Sequence, residues 1–88
     1  MEIAFSSSFR RAFKKIVKER PSTEETFWTK VSIFVEDPYD RRLRTHKLSG
    51  RLHELWSFSV SYDIRVVFSF VESGRVIFED IGDHDTVY

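Results

Sequence analysis

The sequence predicts an α+β domain with the element order β-α-α-β-β-β, in which a helical hairpin packs on a mainly antiparallel four-stranded sheet. Three observations predict this fold. A short alternating segment comes first, two segments with helical periodicity follow, and the second half of the chain alternates between apolar and polar residues. With 88 residues in the chain, we expect one domain spanning residues 1–88.

The first strand and the first helix are predicted within residues 1–20. Residues 1–5 alternate, with Ile3 and Phe5 on one side, which is typical of a short strand. A serine at positions 6–8 can cap the helix that follows, because its oxygen accepts from free N–H groups. The large apolar residues of this helix recur three and four positions apart and form one face. They are Phe9, Ala12, Phe13, Ile16 and Val17.

The second helix is predicted between two prolines. Pro21 ends the first helix, and Ser22 with Glu25 has the pattern of a capping box. Asp37-Pro38 ends the second helix, since the residue before proline is excluded from the α region. We therefore expect a helical hairpin with a shared apolar face. Its core residues are predicted to be Phe9, Phe13, Ile16, Phe27, Val31 and Phe34.

Three more strands are predicted after a polar loop over residues 36–50. Within residues 55–61, Trp56, Phe58 and Val60 alternate strictly with serines, as in a half-buried strand. Residues 64–71 are apolar on both faces, which indicates a central strand. A turn at Ser73-Gly74 leads into the last strand, residues 75–81.

Composition excludes several classes of protein. The absence of cysteine excludes disulfides and thiolate metal sites. No apolar run approaches the roughly 18 residues of a membrane span, and no signal-peptide pattern follows Met1. We therefore expect a cytoplasmic protein without a membrane partner. The sequence has no metal-ligand pattern and no glycine-rich phosphate loop, so we expect neither a metal nor an organic cofactor.

The charges of the chain sum to zero but are distributed in blocks. Fourteen basic and fourteen acidic residues argue against a general nucleic-acid binder, because such binding depends on cations that meet phosphates. Residues 1–20 and 41–65 each carry six basic and two acidic residues, however, and residues 21–40 and 66–88 each carry one basic and five acidic residues. A locally basic surface is therefore compatible with the neutral total.

Local motifs in the second half of the chain resemble those of the RelE/ParE superfamily of bacterial toxins. His46-Lys-Leu-Ser-Gly50 followed by Leu55-Trp-Ser57 resembles the family's Leu-x-Gly…Trp pattern. Residues 62–68 (YDIRVVF) resemble its arginine-bearing strand, and residues 82–84 (GDH) resemble its Gly-x-His ending. The YafQ-like and YoeB-like branch is the most similar. The motifs cover residues 46–88, and the topology covers the whole chain.

This resemblance implies a RelE-like fold and the toxin of a type II toxin–antitoxin system. Such toxins cleave mRNA, mostly in the ribosomal A site, and a cognate antitoxin inhibits them in a hetero-oligomer. Metal-independent cleavage uses the 2′-OH as nucleophile, and it requires general acid–base help and a cation beside the phosphate. Two alternatives remain open: a ParE-like toxin that inhibits DNA gyrase, and a catalytically inactive homologue that binds an antitoxin.

The candidate catalytic residues are His84, Arg65, His46 and Asp63. Asp83 and Asp85 flank His84 and would favour its protonated form, as a general acid requires; the alternative is a solvated histidine in an acidic tail. Arg65 is a cation on an apolar strand, so it must reach solvent or a partner. It would either hold the phosphate in the transition state or pair with Glu79 across the sheet.

The resemblance assigns the other candidates. His46 occupies the position of a family residue that helps activate the nucleophile, and Asp63 matches a YafQ-like aspartate, although aspartate is also an ordinary turn residue. Tyr88 would either stack on a base or, as the last residue, be frayed. Ser59 stands where the YafQ-like pattern has another histidine, so the division of acid and base roles stays open. The basic loop would hold phosphates or form a solvated charged surface; its residues are Arg41, Arg42, Arg44, Lys47 and Arg51.

Overall fold

The computed structural model describes residues 1–48 and 54–83. The helices are α1 (Ser7–Glu19), α2 (Ser22–Glu36) and a 3₁₀ helix (Arg41–Leu43). The strands are β1 (Glu2–Phe5), β2 (His46–Lys47), β3 (Trp56–Ser59), β4 (Arg65–Glu72) and β5 (Arg75–Gly82). They form one sheet in the order β1-β5-β4-β3-β2, with only β1 and β5 parallel among the described strands. The predicted α+β class, and the central place of β4, are confirmed.

The sheet has five strands rather than the four that the sequence predicts. The additional strand, β2, lies in the predicted loop and has only two residues, His46 and Lys47. They pair with Ser57 and Trp56 of β3. Two residues are too short to show an alternating pattern, so the sequence gives no sign of this strand. This edge strand carries His46, one of the predicted catalytic residues.

The helices begin and end close to the predicted positions, but only one predicted cap is formed. The hydroxyl of Ser6 accepts from the N–H of Phe9 at 3.0 Å and caps α1. The capping box of Ser22 and Glu25 is wrong, because Ser22 is already helical and no side chain caps α2. Pro21 takes the N-cap position. No helix in the described part of the chain is long and apolar enough to cross a membrane.

The core lies between the two helices and one face of the sheet. Phe34 of α2 is completely buried, and its ring lies 5.0 Å from the rings of Phe58 and Phe68. Four of the predicted helical core residues are buried, which confirms the packing of both helices on the sheet; these are Phe9, Phe27, Val31 and Phe34. Phe13 and Ile16 are only partly buried against this core.

Alternation along the strands gives the sheet two different faces. The side that packs on the helices, here called the helix face, carries the aromatic residues Phe58, Phe68 and Phe78. The opposite side is called the open face. Its cross-strand pairs include His46 with Ser57, and Ser59 with Arg65. The register therefore places two of the predicted catalytic residues on the same side of the sheet.

Candidate active site

Arg65 is the first residue of β4, and its half-buried side chain lies on the open face. Its Nε donates to the hydroxyl of Ser57 at 3.2 Å, and its Nη2 donates to the carbonyl of Arg44 at 3.2 Å. Ser57 is completely buried. Both acceptors are neutral oxygens, so these hydrogen bonds fix the orientation of the guanidinium without neutralising its charge.

The alternative in which Arg65 pairs with Glu79 is wrong. The carboxylate of Glu79 accepts from the hydroxyl of Ser69 at 2.8 Å. Arg65 lies directly opposite Gly82, a neighbour without a side chain. The register of β4 and β5 shifts beside Glu79, as at a β-bulge, where one strand has an extra residue. No carboxylate in the described part of the chain forms an ion pair with Arg65.

Strand β2 places His46 beside Arg65. Its Nδ1 lies 3.4 Å from Nη2 of Arg65 and 3.2 Å from the carbonyl oxygen of Arg44. The carbonyl oxygen of Arg44 therefore contacts both the guanidinium of Arg65 and the imidazole of His46. His46 is exposed. The structure thus brings together two of the four predicted catalytic residues, with a cation and a titratable ring in contact.

The basic loop contributes less free positive charge than its composition suggests. Arg42 donates to both carboxylate oxygens of Asp40, at 3.0 Å from Nε and 2.9 Å from Nη2. This hydrogen-bonded pair, with the N–H of Arg42 as a second donor, lowers the pKa of Asp40 to about 2. Lys47 lies opposite Trp56 and therefore on the other face of the sheet from His46. Arg41 and Arg44 are exposed.

Asp63 lies in the turn between β3 and β4 and forms an ion pair with Arg20, with 2.7 Å between Oδ2 and Nη1. The hydrogen bond from Arg20 is the main reason why the pKa of Asp63 is lowered. A carboxylate with a lowered pKa is a weaker base. Within the described residues, no hydrogen bond joins Asp63 to Arg65 or His46. The structure therefore does not bring Asp63 into the cluster.

Three of the predicted site residues, Arg51, His84 and Tyr88, lie outside the described residues. The described chain ends at Asp83, immediately after the residue that pairs with Arg65. A cleft of about 240 Å³ lies at this end of the sheet. Its lining includes two cationic side chains, Lys15 in α1 and Arg20 directly after it, together with Gly82 and Asp83. Within residues 1–48 and 54–83, no group of three or more His, Asp or Glu could hold a metal ion.

Ser57 is a site residue that the sequence did not reveal. The alternation of residues 55–61 places the serines on the side away from the core. Nothing in that pattern shows that Arg65 extends diagonally across β3 to reach Ser57. The backbone carbonyl of Arg44 could not be identified from the sequence either, because a residue type indicates the side chain and not the direction of its carbonyl.

No protein-family profile and no curated protein sequence matches the chain. Several solved structures are similar to it. A metal-bound toxin from Helicobacter pylori has a TM-score of 0.82 at 19% identity, over 100% of this chain and 99% of that one. YafQ from E. coli has a TM-score of 0.81 at 15% identity, over 99% and 97% of the two chains, and its complex with DinJ is also similar.

A YoeB/ParE toxin from Agrobacterium tumefaciens has a TM-score of 0.81 at 16% identity, and the match covers 96% of this chain and 99% of that chain. These identities are low, and the likeness covers nearly the whole length of each chain. It therefore concerns the arrangement of the backbone. The predicted RelE-like fold is confirmed: the chain has the fold of the YafQ and YoeB/ParE toxins.

Proposed function

We propose that this chain is the toxin of a type II toxin–antitoxin system and a metal-independent mRNA endoribonuclease. One observation carries the proposal: the Arg65 guanidinium is held in contact with the His46 imidazole, and no described carboxylate neutralises it. A fixed cation beside a titratable ring is what phosphoryl chemistry on RNA requires. The fold shared with known toxins supports the same conclusion.

In the proposed reaction, the 2′-oxygen of the RNA attacks the adjacent phosphorus while the bond from phosphorus to the 5′-oxygen breaks. His46 accepts the proton of the 2′-hydroxyl, and His84 donates a proton to the leaving 5′-oxygen. The products are a 2′,3′-cyclic phosphate and a free 5′-hydroxyl. Arg65 stabilises the negative charge that develops on the phosphate oxygens. Since Gly82 is paired with Arg65, His84 is only two residues further along the chain.

The structure changes the proposed roles of the remaining candidates. We assign Arg41 and Arg44 to phosphates of the bound RNA, together with Arg51, and we assign Tyr88 to stacking on a base. Arg42 is already bound to Asp40. Lys47 lies on the other face of β2 from His46, so it would contact RNA that extends around this edge of the sheet. Asp63 has no proposed part in the proton transfers, because Arg20 holds it as a weak base.

The proposed partners are a cognate antitoxin, in a toxin–antitoxin hetero-oligomer, and mRNA bound to the ribosome in the cytoplasm. The similar structure of the DinJ–YafQ complex supports an antitoxin partner. We expect an acidic or amphipathic antitoxin segment to cover the basic loop at residues 41–51 or the C-terminal residues, by docking in a groove or along a strand edge. Hydrogen exchange measured on the free and the bound protein would locate the segment that it protects.

The proposed function is tested by single-turnover cleavage of ribosome-bound mRNA and of free RNA between pH 5 and pH 9. His84→Ala should lower the rate by about 10²–10⁴-fold with little change in RNA binding, because an acid acts mainly in the transition state. It should also lose the limb of the pH profile that reports the acid, which Arg65→Ala should retain. A gyrase supercoiling assay runs in parallel. If both variants remain fully toxic and gyrase is inhibited, the gyrase-directed alternative replaces the nuclease.

A further inference from the structure

Arg44 has an unusual backbone conformation for a residue with a side chain. Its φ of 52° and ψ of 42° lie in the left-handed region. Among the described residues, the other one with positive φ is Gly74, in the turn between β4 and β5. The left-handed conformation costs free energy for any residue with a Cβ atom, and it persists only where the surrounding structure imposes it.

The segments on both sides of Arg44 impose this conformation. Before it, Leu43 is completely buried and Asp40 caps the 3₁₀ helix by accepting from the N–H of Arg42 at 2.9 Å. The N–H of Arg44 itself donates to the carbonyl of Arg41 at 3.2 Å. After it, the hydroxyl of Thr45 donates to the carbonyl of Pro38. The chain must reverse between these anchors, and the left-handed residue makes the reversal.

The reversal points the carbonyl of Arg44 at the candidate active site. Nη2 of Arg65 and Nδ1 of His46 each lie 3.2 Å from this oxygen and 3.4 Å from one another. A guanidinium always donates. If Nδ1 of His46 carried no proton, it would face the carbonyl lone pairs at 3.2 Å as a second acceptor. If Nδ1 carries the proton, both nitrogens donate to one oxygen with two lone pairs, and the two donors lie 3.4 Å apart. An unprotonated Nδ1 could accept from Nη2 of Arg65, but only at 3.4 Å, which is longer than the 3.2 Å contact with the carbonyl. The shorter contact therefore favours the Nδ1–H tautomer.

We infer that Arg44 is a positioning residue: its left-handed backbone holds a carbonyl that fixes His46 as the Nδ1–H tautomer and orients Arg65 at the same time. The neutral imidazole then has its unprotonated, basic nitrogen at Nε2. The consequence for catalysis rests on the proposed function, in which Nε2 would take the proton of the 2′-hydroxyl. The positioning of His46 and Arg65 requires the backbone conformation of Arg44, not its guanidinium.

The tautomer is measured directly by long-range ¹H–¹⁵N correlation spectra of the ¹⁵N-histidine-labelled protein at about pH 8.5, where an ordinary imidazole is neutral. The signal that disappears in His46→Gln belongs to His46. We expect the parent protein, Arg44→Lys and Arg44→Gly to show His46 protonated at Nδ1, since glycine adopts positive φ without cost. Arg44→Val should shift the ring towards Nε2–H, because a β-branched residue resists the left-handed region.

The same variants separate the backbone from the charge in cleavage assays. Arg44→Gly and Arg44→Val both lose the guanidinium, so a difference between them reports the conformation alone. We expect Arg44→Val to cleave about 10- to 100-fold more slowly than Arg44→Gly, as when a residue that orients a catalytic group is lost. Where Arg44→Val does not fold, Arg44→Ala replaces it, because alanine also resists positive φ but is smaller.

Two outcomes would overturn the inference. One is a parent protein in which His46 is protonated mainly at Nε2. The other is an identical His46 spectrum, and identical cleavage, in Arg44→Gly and Arg44→Val; Arg44 would then act only through its charge. The proposed function fails separately. If the tautomer follows the backbone as expected and the parent protein cleaves no RNA, Arg44 positions His46 but the nuclease assignment is wrong.

Discussion

The two faces of the sheet are formed by alternate residues of the same strands, yet they differ in almost every physical property. On the helix face, Phe58, Phe68 and Phe78 have no exposed surface and surround Phe34 of α2. On the open face, Arg65 lies opposite Ser59 and hydrogen-bonds to the hydroxyl of Ser57 and to the carbonyl of Arg44. One face stabilises the fold through apolar burial, and the other holds a charge in a fixed place.

This contrast indicates that different residues of the same strand contribute to stability and to the proposed activity. Neighbouring residues of β4, Arg65 and Val66, belong to different faces, and Val66 is completely buried in the core. A substitution on the helix face should therefore change the free energy of unfolding. A substitution on the open face should change cleavage more than it changes the free energy of unfolding. Three of the predictions below test this separation, and the fourth concerns a residue at the end of the sheet.

The largest effect is expected on the helix face, from Phe34→Ala. Removing a completely buried phenylalanine should lower the free energy of unfolding by about 3–5 kcal/mol, because it loses apolar burial and leaves a cavity. Phe13→Ala is the matched control, since Phe13 is only partly buried, and it should cost less. Urea unfolding measures both. A loss below about 1 kcal/mol for Phe34→Ala would be far outside the range for such a residue.

The second effect belongs to Arg65 on the open face. Arg65→Ala should lower the rate of RNA cleavage by about 10²–10³-fold, as when a group that stabilises an oxyanion is removed. Arg65→Lys keeps the charge but not the two-armed contact with Ser57 and Arg44, so it should recover only part of the rate. In urea unfolding, Arg65→Ala should lower the free energy of unfolding by about 0.5–3 kcal/mol, because the buried hydroxyl of Ser57 loses this donor. A larger loss of stability would mean that Arg65 is a structural residue.

The predictability of the molecule from its sequence also differs between the two faces. The helix face could be predicted, because burial repeats with the period of each helix and strand, and Phe9, Phe27 and Phe34 are core residues as expected. The open face could not be predicted in the same way. Its contacts depend on cross-strand register, on a two-residue strand at His46 and on the register shift beside Glu79. None of these features has a local sequence pattern.

The third prediction concerns Ser57. This residue of the open face is completely buried, and its hydroxyl accepts a hydrogen bond from Arg65. Ser57→Ala removes one hydrogen bond to the guanidinium and should lower the free energy of unfolding by about 0.5–3 kcal/mol. Cleavage should fall less than in Arg65→Ala, because the carbonyl of Arg44 still holds Nη2. Ser59→Ala, on the same face, is the control. Equal cleavage defects in the two serine variants would contradict a specific role for Ser57.

The smallest effect is expected at Asp63, which lies at the end of the sheet and belongs to neither face. Its side chain is 43% exposed, so its ion pair with Arg20 should stabilise the fold by about 0–1 kcal/mol at neutral pH. Because the hydrogen bond from Arg20 lowers the pKa of Asp63 in the folded protein, this contribution is complete above its ordinary pKa of 3.8. The stabilisation is lost as the pH falls from 3.8 through the lowered pKa of Asp63.

Urea unfolding of the parent, Asp63→Asn and Arg20→Gln should therefore show a small difference at pH 7 that shrinks below about pH 4. The double variant should lose no more stability than either single variant, since the two side chains act as one pair. The pH dependence of Asp40 is common to all four proteins and cancels in this comparison. Cleavage should be unchanged in Asp63→Asn. If Asp63→Asn abolished cleavage while Arg20→Gln did not, the carboxylate would belong to the active site after all, and its exclusion from the Arg65 and His46 cluster would be wrong.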